Sequence, residues 1–159
     1  MKKLFSFMLT LVMLVACLSS TAFAEEMESV ESYATPKLVS STYSFVDDTE
    51  SVPMRANTNL SFTNLAKGYA KKSSSTYYIT SGTDMLEIHS LTWTPTGQNL
   101  SVAFINAQTG KTYAVPYSGG SVSNKTISTT TVPTGEYYVA VVNYDGPNSV
   151  TGALSYSFI

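Results

Sequence analysis

From Leu60 onward, runs rich in Tyr, Val, Ile, Thr and Phe alternate with Gly, Pro, Asn and Asp, and this punctuation limits the fold more than any other feature of the chain. Glycines at 82, 97, 110, 119, 120, 135 and 146 recur every roughly 9 to 16 residues, the length of a strand with its turn. No run between them sustains a helical period. The only helix candidate after residue 24 is Asn64 to Lys72, and Gly68 weakens it. The expected fold is all-β: an antiparallel β-sandwich over residues 57–159, long enough to bury a real core.

Alternation assigns faces to the strands. In Leu100-Ser101-Val102-Ala103-Phe104 the large apolar residues share one face and the small ones take the other. Tyr138, Ala140, Val142 and Tyr144 line one face of the strand after Gly135, and Tyr137, Val139 and Val141 line the opposite one. A strand apolar on both sides belongs in the middle of its sheet. Leu154, Tyr156 and Phe158 face the core from the last strand. Leu86 and Ile88 have the opposite parity to Leu91 and Trp93, which a bulge near His89-Ser90 reconciles. Asn106 to Lys111 reads as a hairpin loop, and Lys111 to Pro116 as an edge strand because Pro116 lacks a ladder donor.

Residues 1–24 have the anatomy of a secretory signal peptide. Lys2-Lys3 is followed by an apolar run from Leu4 to Leu18, then a small-x-small cleavage site ending at Ala24. The run is shorter than the roughly 20 residues of a membrane-spanning helix, so no transmembrane segment is expected. Leu14-Val15-Ala16-Cys17 has the residue types of a bacterial lipobox, although Leu18 is a poor successor to a lipidated cysteine. Secretion with Glu25 first is the expectation, and a lipid anchor on Cys17 the alternative. Cleavage before Glu25 removes the chain's one cysteine, and with it any disulfide or thiol nucleophile. Residues 25–56 read as an acidic, partly disordered arm, linker or pro-segment. Glu25, Glu26, Glu28 and Glu31 open it, Asp47, Asp48 and Glu50 follow, and Val39 to Val46 supplies one short strand.

Cleavage also removes Lys2 and Lys3 but no acid, so nine basic residues become seven against eleven acidic ones. An acidic chain is a poor match for nucleic acid, whose binding rests on clustered Lys and Arg.

The segment Val132-Pro133-Thr134-Gly135-Glu136-Tyr137-Tyr138-Val139-Ala140-Val141-Val142-Asn143-Tyr144 resembles the penultimate strand of bacterial pre-peptidase C-terminal-like domains. There a Pro-x-Gly turn leads into a Tyr-Tyr-Val-x-Val strand, then a glycine loop and a final strand like Leu154 to Phe158. Tyr78 to Ile88 is similar to the family's early strands, so the resemblance covers about residues 76–158. It implies a jelly-roll accessory module, usually appended to secreted enzymes and not itself catalytic. An attached enzyme, usual in that pattern, is not expected here.

The inventory for catalysis is thin. His89 is the only histidine, no Gly-x-Ser-x-Gly elbow occurs, and Glu87 and Asp84 near His89 fit the polar outer face of a strand. No catalytic residue is assigned. One histidine with scattered acids is a poor start for zinc, and neither Asp47-Asp48-Thr49-Glu50 nor Asp145-Gly146-Pro147-Asn148 matches a calcium loop. No metal and no cofactor are expected. Lys67, Lys71 and Lys72 around Tyr69 read as a solvated loop.

Tyrosine is the unusual feature. All 11 follow residue 24, beside one tryptophan, Trp93, which is expected in the core. A tyrosine joins an apolar ring to a polar tip, which suits cores, interfaces and glycan stacking alike. Tyr77, Tyr113 and Tyr117 are the candidates for a ligand-binding surface. The expected function is a secreted, extracellular, non-catalytic module binding a cell-surface polysaccharide or protein partner. The alternatives are a His89-dependent hydrolase and a self-associating matrix protein.

Overall fold

The computed structural model describes residues 34, 36–39, 44–46, 57–144 and 146–159. The export segment, Cys17, the opening glutamates, Asp47, Asp48, Glu50 and Asp145 lie outside them. Among the described residues the structure is all-β, without helix, and consists of two packed sheets.

The smaller sheet has four antiparallel strands. Strand β3 (Thr58–Leu65) pairs with β11 (Val150–Phe158), β11 with β6 (Met85–Thr94), and β6 with β9 (Ser121–Ser128). The larger sheet runs in the order β1 (Lys37–Val39), β8 (Thr112–Tyr117), β7 (Leu100–Asn106), β10 (Gly135–Asn143), β4 (Tyr69–Lys72) and β2 (Ser44–Val46). β5 (Tyr77–Ile79) also pairs with β10, on the same flank as β4. All these pairings are antiparallel except that of β2 with β4. The stretch Val39 to Val46, expected as one strand, is divided: Val39 closes β1 at one edge of the sheet, and Ser44 opens β2 at the other.

The core lies between the sheets. Leu100, Val102 and Phe104 meet Leu86, Ile88, Leu91, Leu154 and Tyr156 there, as their alternation requires. Tyr137, Val139 and Val141 of β10 face the same core, while Ala140 and Val142 join Ala70, Ala103, Ile105 and Ala114 in a second apolar layer on the sheet's other face. β10 is thus central and apolar on both sides, as read from its sequence. Its neighbours Ala103 and Ala114 continue the Ala140 position across three strands.

The parity conflict in β6 resolves by a bulge at His89. Ser90 pairs with Ser155 and Ile88 with Tyr156, so His89 is the extra residue. Leu86, Ile88, Leu91 and Trp93 all become buried. Trp93 is 3% exposed, and its indole N–H donates to the Gln98 carbonyl at 2.8 Å. Gly152, paired with Trp93, has no room for a side chain, since a Cβ would collide with the Thr92 carbonyl oxygen.

Two local expectations change. The helix candidate over Asn64 to Lys72 is the end of β3, a turn with Gly68 at φ 79°, and β4. A left-handed glycine ends extended chain as readily as helix, and tertiary pairing decides. β8 is not a free edge, because β1 covers it from Thr112 to Ala114. Pro116 lies beyond that cover, where its missing N–H costs no ladder bond to β1.

Candidate functional site

The flank of β10 opposite β7 carries a flaw. Ala140 pairs with Lys72 and Tyr137 with Tyr77, so β10 advances three residues while the other chain advances five. The two extra residues belong to Ser73-Ser74-Ser75-Thr76, which leaves the ladder between β4 and β5. Ser73 repairs the gap: its N–H donates to the Val139 carbonyl at 2.7 Å, and its Oγ accepts from the Val139 N–H at 3.1 Å. The same hydroxyl donates to the Ser75 carbonyl at 2.8 Å. A serine side chain stands in for the absent backbone partner, as short hydroxyl residues do at breaks in regular structure.

A pocket opens beside this break, between it and β3. The cavity volume is about 60 Å³. Thr58, Leu60, Lys71, Ser73 and Tyr156 form its buried floor, and Asn59, Ser61 and Ser74 form an exposed rim. Tyr77 makes one wall. Its ring lies 4.7 Å from that of Phe158, and its hydroxyl meets those of Tyr156 at 3.1 Å and Thr58 at 3.5 Å. Burial, followed by the hydrogen bond and charge of Tyr77, pushes the Tyr156 hydroxyl well above the ordinary phenol range. The floor therefore presents neutral hydroxyls that both donate and accept.

The two lysines at the break diverge. Lys71 pairs with Val141, a core-facing residue, and so leaves the sheet on the inner face; it is only 3% exposed. Lys72 pairs with Ala140 on the outer face, where its Nζ lies 4.6 Å over the Tyr138 ring. Lys67 is exposed in the β3–β4 turn. The three lysines grouped by sequence thus occupy three environments.

Of the three candidate tyrosines, Tyr77 alone lines this pocket. Tyr113 and Tyr117 lie on β8 and pack into the inter-sheet core, Tyr113 against Tyr137 with ring centres 6.2 Å apart. Burial pushes the Tyr117 hydroxyl up to about 12. The large exposed aromatics among the described residues are Tyr69, Tyr78 and Tyr144. Parity on strands read in isolation did not expose the break. The signal was present in Ser73-Ser74-Ser75-Thr76, four hydroxyl residues between two strand-forming runs.

His89 has a different setting. Its Nε2 lies 3.0 Å from the Ser157 Oγ, and its Nδ1 is 4.0 Å from the Glu87 carboxylate. The His89 and Glu87 side chains are 31% and 38% exposed on the outer face of the smaller sheet. The Glu87 distance of 4.0 Å exceeds hydrogen-bond range, so Glu87 does not fix the imidazole as a triad acid would. Among the described residues no group of three His, Cys, Asp or Glu is placed to hold a metal ion, and no helix is long and apolar enough to cross a membrane.

No protein-family model, curated protein or solved structure matches this chain.

Proposed function

We propose that the chain is an exported, non-catalytic β-sandwich module that binds a polysaccharide or protein partner at the cell surface, with polysaccharide the reading the geometry favours. The observation that carries this is the hydroxyl-lined pocket at the break between β4 and β5. An aromatic wall beside a rim of amide and hydroxyl groups is the chemistry that recognises a sugar. The cavity of about 60 Å³ has room for about four waters, too little for a whole drug-sized ligand. It suits one substituent or one chain end of a polymer lying along the edge.

The resemblance to pre-peptidase C-terminal-like domains belongs to the same proposal. Its support is the placement of the Tyr-Tyr-Val-x-Val segment in β10, a central strand, directly before the final strand β11. Secretion rests on residues 1–24 alone. The released form is expected to begin at Glu25, and its intact mass in culture supernatant checks this.

Ser61→Trp tests the site. Ser61 is exposed on the rim, so a bulky indole there blocks entry without disturbing the core. On a panel of immobilised bacterial-surface polysaccharides, the unmodified chain should be retained by at least one, and Ser61→Trp should lose that retention. Equal retention of both forms removes the pocket from the account. A hydrolytic reading draws on the contact between His89 and Ser157. It predicts labelling of Ser157 by a fluorophosphonate, which the proposed function does not.

A further inference from the structure

Val39 ends β1 at one edge of the larger sheet and Ser44 opens β2 at the other, and residues 40–43 are all the chain that joins them. The two residues also stand at opposite ends of the strands. Val39 is level, through Thr112 and Ile105, with Tyr138 near the start of β10. Ser44 is level, through Tyr69, with Asn143 at the end of β10. The link therefore runs from corner to corner. In a flat sheet the four intervening strands would set the edges about 24 Å apart, and the corners farther still. The five Cα steps from Val39 to Ser44 reach at most about 18 Å. The two corners must curl toward each other. Twist provides this, because a twisted sheet is a saddle whose two diagonals bend toward opposite faces.

The other diagonal tells which face is crossed. Just before β1, Ala34 pairs with Ile127 of β9 and the Pro36 carbonyl accepts from the Thr131 hydroxyl, while at the opposite corner β4 lies against β3. That diagonal bends toward the smaller sheet, so the one through Val39 and Ser44 bends away from it. The inner face is filled by the core, which leaves the outer face as the path. Its chemistry matches. The apolar layer there looks away from the smaller sheet, yet Ala70, Ala103, Ala140 and Val142 are wholly buried. Ala114, Ala103 and Ala140 stand side by side on three strands, and their methyl groups let a crossing backbone approach closely. Ser40, Ser41 and Thr42 carry hydroxyls able to satisfy backbone groups that no ladder pairs, as Ser73 does at the break. We infer that residues 40–43 cross the outer face of the larger sheet and cover its alanine layer. This cover closes that face to any partner and makes residues 36–46 part of the β-domain rather than of an arm.

Nothing in this depends on what the pocket binds. A chain beginning at Glu25 has no cysteine, so introduced pairs report position. Ser41→Cys or Thr42→Cys is combined with Ala103→Cys or Ala140→Cys, and the folded variants are oxidised mildly. A disulfide needs Cα atoms within about 7 Å, so at least one pair should close within the monomer, about tenfold faster than a control joining Ser41→Cys to Thr92→Cys on the smaller sheet. Peptide mass mapping reads the result. No pair closing faster than the control overturns the inference. If the variants do not fold, chymotrypsin on the unmodified chain decides. Cleavage after Tyr43 should begin only in urea that unfolds the whole domain, and prompt cleavage in native buffer overturns the cover. A disulfide between two copies of Ala103→Cys, with sedimentation that rises with concentration, would make a second copy the occupant and overturn residues 40–43 in that place.

Discussion

Along one flank of β10, six consecutive residues from Tyr137 to Val142 pair with β7 without interruption, while along the other the ladder to β4 and β5 fails at Ser73–Thr76. The same strand thus has two kinds of neighbour. On the β7 flank, apart from Asn106 at the end of the ladder, every side chain is apolar or small and either face is packed: Phe104 and Val102 inward, Ala103 and Ile105 outward. Nothing there can be removed without leaving a hole. On the other flank, short hydroxyl residues satisfy the backbone locally and hold a polar space open. Stability is concentrated on the unbroken side and recognition on the broken one. That division is what the following substitutions test.

The largest effect is expected from the packed side. Phe104→Ala, and Trp93→Ala from β6 in the same inter-sheet core, should each cost about 3–5 kcal/mol, because both side chains are buried. Urea unfolding followed by tyrosine fluorescence measures this, and the midpoint should fall while the slope stays constant. Losses below about 1 kcal/mol would place the stability elsewhere.

Ser73→Ala is expected to cost less, about 1–3 kcal/mol, because it leaves the Val139 N–H without its acceptor. Hydrogen exchange sharpens the result. The Val139 amide should lose protection, while the Phe104 amide on the unbroken side should keep it. Equal loss at both would mean that the two flanks unfold as one unit.

Alkaline pH probes both sides through buried tyrosines. The Tyr117 hydroxyl is shifted by burial to about 12, and burial and Tyr77 raise Tyr156 on the pocket floor. In the unfolded chain both ionise near the usual value of about 10. Above that pH the unfolded state binds fewer protons, so stability is full below about pH 10 and is lost as pH climbs through about 12. Tyr156→Phe should make this fall shallower. An unchanged slope between about pH 10 and 12 would show that Tyr156 has no role in it.

Much of this division was legible in the residues. The parity of Leu100, Val102 and Phe104, the two apolar faces of β10 and the switch of facing at His89 are local consequences of period-two alternation, and each occurs as read. The site was less accessible. Lys71 and Lys72 are adjacent in sequence, but only pairing with β10 reveals that one points inward and the other outward. Tyr113 and Tyr117 have the same composition signal as Tyr77, yet their strand sends them into the core. A break in a ladder is a relation between two chains, and Ser73–Thr76 alone does not say which strand lies opposite.

The most direct measurement is backbone amide chemical-shift mapping of the isotope-labelled chain, titrated with the polysaccharide fragment that binds it best. The account predicts that the perturbed amides cluster around Thr58 to Ser61 and Lys71 to Tyr77, with the β7 flank unmoved. Perturbations centred instead on Glu87, His89 and Ser157, or spread evenly along the edges β3 and β9, would contradict it.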